Sequence, residues 1–124
     1  MSSLSAVEAK LEAESKAFQL LQKELSVVIE SRQRLESQQQ ENELVNTEFQ
    51  HLDQDSNIYK LIGPVLVKQD KSEAATNVKN RLDLISSEIK RVEAQLNDLT
   101  QKSESKKNEM AQLQMQYQQL AAKK

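Results

Sequence analysis

The sequence predicts a mainly α fold: a long antiparallel two-helix coiled coil with a single β-hairpin at the turn. Three observations lead there. Apolar residues recur at alternating steps of three and four through both halves of the 124 residues, which is the spacing of a helix that buries one narrow stripe. The only glycine and the only proline are neighbours, Gly63 and Pro64, so the strongest backbone breakers occur together, once, near the middle. Around them lie two short runs, Ile58-Tyr59-Lys60-Leu61-Ile62 and Val65-Leu66-Val67-Lys68-Gln69, rich in the β-branched and aromatic residues that suit strands. The expected organisation is one domain over 1–124, with helix 1 at about 4–52, the hairpin at about 57–69 and helix 2 at about 73–122.

Helix 1 carries the seam Leu4, Val7, Leu11, Glu14, Phe18, Leu21, Leu25, Val28, Arg32, Leu35, Gln39, Asn42, Asn46, Phe49, of which nine of fourteen are apolar. Between the seam positions stand Gln, Glu, Lys, Ser and Arg, which tolerate or favour helix, with i,i+4 pairs such as Glu12 with Lys16. Polar residues at seam positions commonly specify alignment at some loss of stability, and Glu14, Arg32, Asn42 and Asn46 are read that way. From Gln38 to Asn46 the seam is polar, while Val45, Phe49 and Leu52 form an offset stripe, so a register stutter is expected there.

The next segment, Asp53 to Asn57, stops the helix with poor helix formers whose side chains compete for the backbone. In the hairpin that follows, Tyr59 and Leu61 share one face, Ile58 and Ile62 the other, and Val65, Leu66 and Val67 are apolar throughout. Neither face suits water. A lone two-stranded hairpin is marginal and leaves two edges unpaired, so Ile58, Tyr59, Leu61, Ile62, Val65, Leu66 and Val67 are expected to form an oligomer interface. Gly-Pro is not a favoured primed-turn pair, which suggests a loop longer than two residues.

Helix 2 has two candidate N-caps, Asp70 in a capping box with Glu73, and Ser72. Its seam runs Ala75, Val78, Leu82, Ile85, Ile89, Val92, Leu96, Leu99, Ser103, Lys106, Met110, Leu113, Tyr117, Leu120, with twelve of fourteen apolar. At about 1.5 Å per residue each helix is on the order of 75 Å long. Antiparallel pairing matches the two seams at a constant sum of 124, setting Leu4 against Leu120, Leu35 against Ile89 and Phe49 against Ala75.

Composition excludes several classes of function. There is no cysteine, hence no disulfide framework, thiolate metal site or Cys nucleophile, and the default address is cytoplasmic. Seventeen basic against nineteen acidic residues give a net charge of −2 with no basic cluster, so no nucleic acid partner is expected. No run of eighteen apolar residues and no leader pattern argue against a membrane partner or a targeting signal. One glycine cannot build a phosphate-cradling loop. His51 is the only histidine and reads as a solvated helix-end residue rather than a ligand. Glu41 with Glu43 fall on different helix faces, and Asp53 with Asp55 are ordinary turn residues. No catalytic residue, metal or cofactor is expected, and the chain does not read as an enzyme.

A long helix, the hairpin Tyr59-Lys60-Leu61-Ile62-Gly63-Pro64-Val65-Leu66-Val67-Lys68-Gln69, and a second helix opening Asn77-Val78-Lys79-Asn80-Arg81-Leu82 resemble the β-class subunits of prefoldin. Glu41-Asn42-Glu43-Leu44-Val45 and Ser87-Glu88-Ile89-Lys90-Arg91 extend the resemblance over nearly the whole chain. It implies a heterohexamer of α-class and β-class prefoldin subunits, with hairpins joined in β-barrels and coiled coils hanging as arms. It also implies ATP-independent capture of unfolded clients such as actin and tubulin at the arm tips, and their transfer to the cytosolic group II chaperonin.

In such an arm both chain termini fall at the distal end, where Leu4, Val7, Leu11, Met110, Leu113, Tyr117 and Leu120 are the candidate client-binding residues. Ser103 and Lys106 interrupt the seam just inside that end, opposite Leu21 and Phe18, and a buried lysine without a partner would let the last turns splay. Simple zipping of the coil to its end is the competing reading. The competing function is a structural coiled-coil adaptor or tether, which would have no use for an apolar hairpin.

Overall fold

The computed structural model describes residues 3–52 and 57–123, in the order α1 (Leu4–His51), β1 (Ile58–Ile62), β2 (Val65–Gln69) and α2 (Lys71–Ala122). The helix-hairpin-helix order is the one expected. The Ser3 hydroxyl caps α1 by accepting the Ala6 N–H at 3.2 Å. Helix α1 closes at His51; positions 53–56 of the expected stop segment lie outside the described residues. Helix α2 starts two residues earlier than expected because Asp70 is the cap: its carbonyl accepts the Ala74 N–H at 2.9 Å. Ser72, the rival cap, donates its hydroxyl to the Asp70 carboxylate at 2.7 Å instead. Glu73 adds an acidic group in the first turn, where the helix dipole favours it.

The chain packs as two compact units, one of Met1–Ser31 with Val92–Lys124 and one of Arg32–Arg91. In the first, Val7, Val28, Val92 and Leu99 are buried, and Val7 is only 1% exposed. The remaining seam residues of both helix segments are half-buried, apart from the buried Ser103. A stripe two residues wide in every seven encloses side chains incompletely, so most seam residues keep one edge in water.

In the second unit Ala74, Val78 and Ile85 are buried. Lys71 donates its ammonium to the Leu52 carbonyl at 2.7 Å, placing a cation at the C-terminal end of α1. Asn42, Asn46 and Phe49 stay on the half-buried side while Val45 is exposed, so the heptad continues through its polar stretch to Phe49; of the offset stripe, Phe49 and Leu52 are half-buried. Asn42 does not set alignment across the helices, because its amide donates to the Gln38 carbonyl one turn back in its own helix, at 2.7 Å.

Strands β1 and β2 pair antiparallel as Ile58↔Gln69, Tyr59↔Lys68, Lys60↔Val67, Leu61↔Leu66 and Ile62↔Val65. That register leaves a loop of two residues, not the longer one expected. Proline holds φ negative and so excludes a type I′ turn, but Gly63 adopts φ of 59°, and a glycine with positive φ at the first central position is the signature of type II′. Gly-Pro is therefore an uncommon pair that still fits the turn twisted to suit a hairpin.

Candidate functional site

The hairpin departs furthest from what water tolerates. Of its seven predicted interface residues only Ile58 is half-buried; Tyr59, Leu61, Ile62, Val65, Leu66 and Val67 are 43% to 66% exposed. Strand alternation places Ile58, Ile62, Val65 and Val67 on one face, and Tyr59, Leu61 and Leu66 on the other. The register thus brings together all seven residues and presents apolar groups on both faces.

Its edges are open as well. Residues flanking a two-residue loop form a hydrogen-bonded pair, and bonded and non-bonded pairs then alternate along the strands. Tyr59 and Leu61 on one edge, and Leu66 and Lys68 on the other, therefore turn their backbone N–H and C=O groups outward. Among the described residues the sheet has two strands, so those groups have no ladder partner. Such an edge is a template for a strand of another chain.

The seven candidate tip residues lie in the seam of the first unit, and none of them is exposed. Leu11 and Tyr117 line a shallow depression together with Glu8, Glu12, Ser15, Lys16 and Gln19. Met115, which the seam pattern passes over, is the exposed large apolar side chain at this end among the described residues, at 62%. Client contact by the seven would thus require the helices to part locally.

The two polar residues that interrupt the α2 seam, Ser103 and Lys106, differ from expectation, since both have partners. Ser103 accepts a hydrogen bond from the Gln22 amide at 2.8 Å. Lys106 reaches the Glu14 carboxylate at 2.7 Å and Glu109 at 3.5 Å, so it is not the stranded cation that would force the last turns apart. The hydrogen bond from Lys106, with help from Glu109, holds the Glu14 carboxyl below its ordinary range, and the bond to Glu14 raises the Lys106 ammonium above its own. The signs follow. Glu14's contribution to stability is complete above the unfolded carboxylate value and is lost as pH falls through its lowered folded value. Lys106's contribution is complete below the ordinary lysine value and is lost only as pH rises through its raised one. The bridge is intact across neutral pH. Lys106→Met should therefore make the melting temperature less sensitive to acid than in the wild-type chain, as followed by circular dichroism through the carboxylate range. Parallel curves for the two proteins would mean that the bridge contributes nothing.

The seam pattern also passed over apolar side chains that the fold leaves exposed. Leu20 and Val27, one heptad apart on α1, are 63% and 59% exposed, and Leu84 on α2 is 65% exposed. Leu84 stands beside the seam residue Ile85, so its only signal in the sequence is an apolar residue out of step with the stripe. Arg81, one turn before it, lines the same cleft beneath the hairpin.

His51 is exposed at the end of α1. Among the described residues no three His, Cys, Asp or Glu side chains are grouped to hold a metal ion. No described helix is long and apolar enough to cross a membrane.

Comparison with known proteins places these features in context. The model of the family described as prefoldin subunit matches residues 12–117. Prefoldin subunit 6 of Bos taurus is 47% identical over 118 residues, covering 95% of this chain and 92% of that protein. Prefoldin subunit 6 of Homo sapiens is 46% identical over 118 residues, covering 95% and 92%. That of Saccharomyces cerevisiae is 45% identical over 96 residues, covering 77% and 84%. Among solved structures, the prefoldin beta subunit from Thermococcus strain KS-1 shares the fold with a TM-score of 0.77 at 21% sequence identity, over 82% of this chain and 89% of that one.

Proposed function

The chain belongs to the prefoldin family, and from that membership we propose that it is a β-class subunit of a heterohexameric co-chaperone built from α-class and β-class prefoldin subunits. In this reading the complex captures unfolded nascent polypeptides in the cytoplasm, with actin and tubulin among its clients, and hands them to the group II chaperonin. The distal ends of the coils do the holding.

The observation that carries the reading is the hairpin. Six exposed apolar side chains on two faces and two unpaired edges have no role in a chain that works alone, whereas neighbouring subunits would supply both cover and strands. A tether would need the coil and not the hairpin. Capture without ATP is consistent with a sequence whose single glycine cannot form a phosphate-binding loop.

Light scattering coupled to size exclusion tests this, on the chain alone and mixed with α-class and other β-class subunits. We expect a discrete heterohexamer in the mixture. A stable homodimer that ignores the other subunits would establish the tether instead.

A further inference from the structure

A cleft of about 490 Å³ lies between the hairpin and α2. Phe49, Ile58, Val78 and Leu84 supply apolar lining, and Lys60 and Arg81 supply two cations. Among the described residues no carboxylate lines it. Among the described residues neither Lys60 nor Arg81 forms an ion pair. Leu84, on the α2 side, is 65% exposed although the buried Val78 is close by in the same lining.

The position of the cleft identifies its occupant. One wall is the base of the hairpin, through Ile58, Tyr59 and Lys60 of β1 and Gln69 of β2, and the neighbouring β1 edge is where the backbone groups of Tyr59 and Leu61 await a strand. A strand added to that edge continues the sheet by about 4.8 Å, and alternate side chains then project towards α2. Charge narrows the choice. The strand segment of this chain, Ile58 to Gln69, contains two lysines and no carboxylate, so a second copy would bring cations to a cationic cleft. Like charges brought together in an interface disfavour the wrong partner.

We infer that the cleft is a selective part of the subunit interface, taking the strand end of a different prefoldin subunit that carries an apolar side chain for Leu84 and a carboxylate for Lys60 and Arg81. The inference rests on the reading of the hairpin as an assembly surface. It adds that assembly is directed: this chain favours an acidic neighbour at β1 over its own copy.

Leu84→Ser and Arg81→Glu test it, because both side chains are exposed in the isolated subunit and unchanged circular dichroism and urea unfolding will verify that the fold is kept. Each variant is mixed with the α-class and β-class subunits over a dilution series and followed by light scattering. Each is expected to assemble about tenfold or more weakly than wild type. Added salt should weaken wild-type assembly more than that of the Arg81→Gln variant. Assembly of both variants at wild-type concentrations would overturn the inference. So would intact assembly combined with loss of aggregation suppression, which would give the cleft to clients. Failure of the wild-type chain to assemble would instead remove the hexamer reading on which the inference stands.

Discussion

Replacing Leu61 and Leu66 together by serine is expected to exclude the chain from its complex at micromolar concentration while leaving both helices folded. The two side chains face each other across the hairpin and are 66% and 64% exposed, so the isolated subunit gains little from them. In an assembled complex they would be covered. Burying a leucine contributes about 1.5–3 kcal/mol, so the pair accounts for about 3–6 kcal/mol, equivalent to a 10²- to 10⁴-fold weakening of association at about 1.4 kcal/mol per decade. Helical circular dichroism should be unchanged, and light scattering of the mixture should show the variant apart from the remaining subunits. Proline identifies the edge in use: Leu61→Pro removes an outward N–H from β1, and Leu66→Pro removes one from β2, each at a position that does not donate within the hairpin. A double serine variant that assembles at wild-type concentrations would mean that the apolar faces are not an interface.

Most of what positions these surfaces is legible in the sequence, and what escapes does so for identifiable reasons. Every seam residue from Leu4 to Phe49 and from Ala75 to Leu120 is buried or half-buried, because a 3.5-residue period leaves a helix pair only one way to withdraw apolar groups from water. The hairpin was readable from β-branched runs around one breaker. Its loop length was not, since the general rarity of Gly-Pro outweighed the one feature that decides the turn, glycine at the position needing positive φ. The partner of Lys106 escaped for another reason. Pairing arithmetic sets Lys106 opposite Phe18, but a four-carbon stem spans a helical turn and reaches Glu14. Leu20, Leu84 and Met115 were invisible to a pattern that counts only two positions in seven. Their exposure depends on what packs beside each helix, and periodicity carries no such information.

The second large effect is expected at the distal end. Changing Leu4, Leu11, Leu113 and Leu120 to serine should reduce suppression of client aggregation about tenfold or more, with assembly unaffected because the hairpin is untouched. The first unit is not packed equally along its length. On the hairpin side of the Ser103 and Lys106 layer, Val28, Val92 and Leu99 are buried; on the distal side the buried seam residue is Val7, with Leu4, Leu11, Met110, Leu113, Tyr117 and Leu120 half-buried. Apart from Val7, which is 1% exposed, parting the last turns releases only half-buried seam residues, while Gln22 and Glu14 pin the polar layer and limit how far the opening travels. Local opening of this kind draws on the least stable part of a fold. The apolar groups released are adaptable ones, including Met110 and Tyr117, suited to clients of no fixed shape. The assay dilutes chemically unfolded actin into buffer with the assembled complex and follows turbidity. If the fourfold variant protects as well as wild type while Met115→Ser does not, the client lies on the outer face of a closed coil and the helices need not part. If neither variant changes protection, the distal seam only zips the coil, and holding belongs elsewhere on the subunit.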